Sequence, residues 1–328
     1  MCSSDLTNEG KGWTRLSNGT VTVNAGDDGF KASRVVEISG GSLTVEQSDE
    51  GIEAQYINIS GGDVNVTSAD DGMNASLKTS DSESTDSSAN TSDTANQQQG
   101  SLPGGQQNGT SNQQQQGTGQ PPQGQPPAMS GTSQDGTSQN GTTGTGQQGM
   151  GQPPRGGMPG GGGGTFEVVD AAINVSGGNI TVNAEGDGID SNGVTTLSGG
   201  TLIVNGPSQG GNAALDTNGD LLLNGATVLS GSTADMFEAP STNSTSGYLK
   251  LTNSSGFEQG STVQVADSSG KVVANYKVTK SNVQLVLVSS SSIVKGQSYT
   301  VYTTTSAVDS NAASLASGAT ELGSFTAS

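Results

Sequence analysis

Acidic residues recur in this sequence at a fixed interval, each time beside a glycine. Asp27-Asp28-Gly29-Phe30, Asp49-Glu50-Gly51-Ile52, Asp70-Asp71-Gly72-Met73 and Gly186-Asp187-Gly188-Ile189 form the series, and Glu53, Asn74 and Asp190 follow three of its members. Carboxylate and amide oxygens gathered in this way suit a hard cation. Calcium takes about six to eight oxygen ligands in flexible geometry, whereas magnesium demands a tighter octahedron. The bases needed to neutralise such a cluster internally are scarce, since residues 13–76 and 166–230 contain only Arg15, Lys31 and Arg34. The expectation is therefore Ca2+ held by Asp27, Asp28, Asp49, Glu50, Glu53, Asp70, Asp71, Asn74, Asp187 and Asp190. The bland alternative is that Asp-Gly pairs are ordinary turn formers and the acids are simply solvated.

Other chemistry is narrowed by composition. The chain has no histidine, which removes histidine-based catalysis, and its one cysteine, Cys2, has no internal partner. Acids outnumber bases 30 to 11, for a net charge of −19. That balance disfavours nucleic acid and direct contact with an anionic membrane. Lys31, near Asp28, is the one well-placed candidate for a proton-abstracting base.

The elements that must position the acids follow from a second series. Ser39-Gly40-Gly41-Ser42-Leu43-Thr44-Val45 recurs at Ser60-Gly61-Gly62, Ser176-Gly177-Gly178 and Ser198-Gly199-Gly200, each followed by alternating apolar residues. The interval is 21 to 22 residues between neighbouring copies. Each unit holds three short runs of period two separated by glycine turns, such as Ile52 with Ala54, Ile57 with Ile59, and Val64 with Val66. No unit can bury its own apolar face, so the units must stack. The predicted fold is all-β: a right-handed parallel β-helix of about five to six coils. Equivalent acids would then lie about 4.7–4.9 Å apart. At that distance two carboxylates repel by roughly 3 to 4 kcal/mol at an effective dielectric near 20.

The chain divides at changes of composition. Residues 1–12 read as an artefactual or disordered N-terminus, because Met1-Cys2-Ser3-Ser4-Asp5-Leu6 resembles a translated sequencing adapter; the native start would lie upstream. Cys2 as an acylated lipoprotein residue is the competing reading. The β-helix occupies 13–231, interrupted at 77–165 by a Gly/Gln/Ser/Pro-rich insertion that reads as a disordered loop extruded from one corner. Residues 232–328 lose the repeat and carry longer strands, with Asp267-Ser268-Ser269-Gly270 as a hairpin turn. They read as an antiparallel β cap that covers the last coil's open edge.

Three phrases carry a resemblance: Asp27-Asp28-Gly29-Phe30-Lys31-Ala32, Glu50-Gly51-Ile52-Glu53-Ala54 with Ile57-Asn58-Ile59-Ser60-Gly61-Gly62, and Asp70-Asp71-Gly72-Met73-Asn74-Ala75. With them the chain resembles the carbohydrate-binding domain-containing proteins of clostridia and their relatives, which are related to pectate-lyase-type β-helices. Ser289 to Tyr302 is similar to that family's closing hairpin. The resemblance implies a secreted or cell-surface protein, lipid-anchored if Cys2 is acylated, with calcium in the acidic corner. It also implies noncatalytic binding of a plant cell-wall glycan such as polygalacturonate or cellulose, and a monomer is expected. Trp13 and Tyr56, the only Trp and Tyr of the helical region, read as capping or packing residues, so an acidic glycan is expected to bind through bridging calcium. Two alternatives stand beside this: a calcium-dependent pectate-type lyase with Lys31 as base, and a structural or adhesive surface protein.

Overall fold

A computed structural model describes residues 12–77 and 167–328. Most of residues 1–12 and of the 77–165 insertion, with the disorder expected there, lies outside the described residues.

The repeat folds as stacked turns. The first turn consists of β1 (Trp13–Leu16), β2 (Thr20–Asn24) and β3 (Phe30–Lys31). Each later turn pairs a long strand with a short one: β4 (Val35–Gln47) with β5 (Ile52–Ala54), β6 (Tyr56–Ser68) with β7 (Met73–Ala75), β8 (Ala172–Ala184) with β9 (Ile189–Ser191), and β10 (Val194–Asn205) with β11 (Leu215–Thr217). A sixth turn begins with β12 (Leu221–Leu223) and β13 (Thr227–Ser232). All neighbours between turns are parallel, in one sheet ordered β1-β4-β6-β8-β10-β13 and a second ordered β11-β9-β7-β5-β3. This is the parallel β-helix the periodicity predicts. Two of the three predicted runs in a turn are fused into one bent strand, and the bend falls at the Gly-Gly pair, where the register shifts.

Glycine serves two different ends in the two series. The second glycine of each pair, at Gly41, Gly62, Gly178 and Gly200, has φ between +77° and +93°, a region costly for any residue with a Cβ. The glycines beside the acids do not have positive φ; they are required by stacking. A Cβ on Gly29 would lie 2.6 Å from Val45 Cγ1 and 2.7 Å from the Gly51 carbonyl oxygen of the next turn. Gly51, Gly72 and Gly188 repeat that contact against Val66, Val182 and Val204. Asp-Gly here is a close-packing device rather than a reverse turn.

Inside the coil, single columns of side chains fill the core. Val36, Ile57 and Ile173 form one, Leu43, Val64, Ile180 and Leu202 another, and Ile52, Met73 and Ile189 a third, all at most 1% exposed. Because β6 pairs with β8 over eleven residues, the chain on either side of the insertion belongs to adjacent turns.

After Ser232 come β14 (Tyr248–Phe257), β15 (Thr262–Ala266), β16 (Val272–Lys277), β17 (Val283–Ser289), β18 (Ser298–Thr304) and β19 (Thr320–Thr326). β17 pairs antiparallel with β13, and β14 pairs with β17, so the last turn's open edge is covered. Leu285 and Leu287 of β17 join the helix core while Val286 and Val288 join a second core beneath the four-stranded sheet β16-β15-β18-β19. The Asp267–Gly270 hairpin forms as expected, with the Asp267 carboxylate accepting from the Ser269 amide at 2.8 Å. One expectation is corrected: Ser289 to Tyr302 is not a hairpin. β17 and β18 lie in different sheets, because β17 is spent on covering the coil while β18 pairs with β15 and β19.

Candidate functional site

Parallel stacking sorts the predicted acids into three columns on one corner. Backbone hydrogen bonds align Asp27, Asp49, Asp70 and Gly186 in one, and Asp28, Glu50, Asp71 and Asp187 in the next. The β3-β5-β7-β9-β11 register builds the third from Lys31, Glu53, Asn74, Asp190 and Asp216. Inward residues such as Ile52, Met73 and Ile189 force these neighbours outward.

The two ends of the corner differ. At the first turns Lys31 is inserted among the acids: its ammonium contacts Asp28 and lies 2.9 Å from Glu53, which is 1% exposed. Asp28, Glu50 and Glu53 bring oxygens within 4.8 Å of one another. Burial depresses the Lys31 pKa, but its ion pairs with Asp28 and Glu53 outweigh this and push it above the ordinary lysine range. Asp28 is raised by burial and by Glu53, against the pull of Lys31. Lys31 is therefore held as a cation and is a poor proton-abstracting base.

Toward the last turns there is no such cation. Among the described residues no lysine or arginine pairs with Asp71, Asp187, Asp190, Asp216 or Glu238. Burial, then neighbouring carboxylates, drives Asp190 up to about 8. Asp71 rises to about 7 for the same first cause, against a bond from the Asp187 amide at 2.7 Å. Asp187 is raised to about 6 by burial, although the Ala213 amide donates to it. Glu238 reaches about 8 through burial and the charge of Asp216, itself raised by burial. The carboxylates of Asp70 and Asp71 converge on Gly186, where a Cβ would sit 2.6 Å from Asp71 Oδ1.

The donor set fits a calcium ion. Asn74 donates its amide hydrogen to Glu50 Oε1 at 3.1 Å, while its own Oδ1 is buried and accepts no hydrogen bond. Glu238 Oε2 is buried and unbonded in the same way. An orphaned amide oxygen amid unneutralised carboxylates is what a hard cation would satisfy.

A family model described as carbohydrate-binding domain-containing protein matches residues 1–95. Its match takes in the described strands β1 to β7 and with them the Lys31 end of the acidic corner. No curated protein and no solved structure matches the chain.

Two members of the corner were missed by the sequence reading. Asp216 sits opposite Asp190, and the signal was present, because Leu215-Asp216-Thr217 repeats the apolar-acid-hydroxyl order of Ile189-Asp190-Ser191. Its turn is longer than the others, which hid it. Glu238 arrives from the segment after the last turn, and no repeat announces it. Trp13, expected as a capping or packing residue, lies on the first strand and is 53% exposed.

Proposed function

We propose that this chain is a noncatalytic polysaccharide-binding module of the cell exterior, with calcium bound in its acidic corner. The match of residues 1–95 to a carbohydrate-binding family carries the carbohydrate reading, and plant cell-wall glycans such as polygalacturonate or cellulose are the ligands to test. Asp28, Glu50 and Glu53 already bring oxygens within 4.8 Å of one another; Asp71, Asn74, Asp187 and Asp190, with Asp216 and Glu238, would share ions distributed over several rungs. Calcium would supply the positive charge these groups lack and allow all of them to ionise together. The protein's own part is to fix the donors in register on rigid strands. The protonated state of Lys31 weighs against the lyase reading.

The deciding experiment titrates metal-stripped protein with calcium and polygalacturonate while binding and unsaturated-product absorbance are followed together. Calcium-dependent binding without product is expected. Product that disappears in Lys31→Ala would replace the module by a lyase, and the absence of both signals, with cellulose also tested, would leave a surface spacer.

A further inference from the structure

One outward column of the helix is apolar over its first five rungs and ends at Asp220 on the sixth. The β1-β4-β6-β8-β10 register aligns Trp13, Val35, Tyr56, Ala172 and Val194. Their strand neighbours Thr14, Val36, Ile57, Ile173 and Thr195 point inward and are buried, so this row lies on the other side of its strands. Trp13 is exposed, Tyr56, Ala172 and Val194 are half-buried, and Val35 is covered between the two aromatic rings' rungs. The row belongs to a different sheet from the acidic corner. Trp13 and Tyr56 are two strand spacings apart, about 9 to 10 Å.

The same row gathers the only arginines among the described residues. Arg34 stacks its guanidinium 5.7 Å from the Tyr56 ring centroid. Arg15, one rung-mate along from Trp13, is exposed and reaches Glu37 at 3.1 Å. Beyond them Asn174 donates to Asn58 at 3.0 Å, extending a polar margin beside the apolar row. The acids on this face are Glu37, paired with Arg15, Asp170 beside Tyr56, and Asp220 at the far end of the row. The face thus gathers two arginines at its first rungs against three acids, on a molecule of net charge −19.

We infer that the polysaccharide lies along this row, parallel to the helix axis, with sugar rings on Trp13 and Tyr56 and uronate carboxylates facing Arg34 and Arg15. The inference rests on the carbohydrate reading and assigns it a place. Pyranose rings offer flat C–H faces that pack on aromatic platforms and hydroxyl edges that suit an amide margin. Guanidinium is the side chain matched to a carboxylate. An acidic glycan then needs no bridging ion, and calcium acts by stiffening the neighbouring corner.

The test measures affinity of the full chain for polygalacturonate and for neutral cello-oligosaccharides at saturating calcium, with thermal melts in calcium and in chelator as folding controls. Trp13→Ala is expected to weaken both ligands about tenfold. Arg34→Gln should weaken polygalacturonate about tenfold and the neutral ligand no more than about twofold. Both variants should keep the wild-type calcium-induced rise in melting temperature. Thr181→Ala, on another outward column, should bind as wild type does. Wild-type affinity in Trp13→Ala and Arg34→Gln would overturn the inference and leave the carbohydrate reading standing. If the wild-type chain binds neither glycan, that reading falls and the inference with it.

Discussion

At the scale of single residues, the acidic corner makes stability depend on pH in an unusual direction. Asp190 and Glu238 rise to about 8, Asp71 to about 7 and Asp187 to about 6, above the ordinary carboxylate value near 4. A carboxyl whose folded pKa is raised holds its proton longer in the folded state, so stability falls as pH climbs from about 4 to about 8. Metal-free protein should melt several degrees lower at pH 8 than at pH 5, and calcium should reverse most of that loss. Thermal melts in chelator and in calcium at the two pH values check this, with Asp190→Asn expected to flatten the metal-free profile. A metal-free melting temperature that rises toward pH 8 would contradict it.

At the scale of elements, the short strands owe their spacing to the glycine that precedes them. Gly72 has no room for a Cβ against Val182 and the Gly188 carbonyl, whereas a Cβ on Gly26 would meet nothing within 4 Å. Gly72→Ala should therefore cost about 1 to 3 kcal/mol through displaced strands, and Gly26→Ala should fall within about 0.5 kcal/mol of wild type. Chemical denaturation of the two variants makes the comparison. The far end of the coil is held differently. β17 is buried on both faces and joins two cores, and Tyr276 reaches from the second core to Asn205 Oδ1 at 3.1 Å. Lys280 adds an ion pair to Glu185 at 3.0 Å.

For the whole molecule, the pairing of β6 with β8 makes the coil continuous across the insertion. Replacing residues 78–166 by a short Gly-Ser linker should leave the circular-dichroism spectrum of the coil and the calcium-induced melting shift unchanged. Shortening a loop alters closure entropy only slowly with its length. A variant that loses its cooperative transition would show that the insertion contributes to the fold.

The sequence by itself determined the architecture, because a 21 to 22-residue period of apolar alternation has only one way to bury its runs, and it placed nine acids and Asn74 on one corner since stacking preserves phase. It could not separate the Lys31 end from the uncompensated end. That division depends on which side chains actually meet, and Glu238 arrives there from outside the repeat. Nor did it reveal why Gly72 is glycine, since the contact is with a turn whose residues lie more than a hundred positions away. The apolar row with its arginines was equally hidden. Trp13 and Tyr56 stand out in sequence as the helical region's only Trp and Tyr, but they share one column with Val35 only when three turns are laid in register.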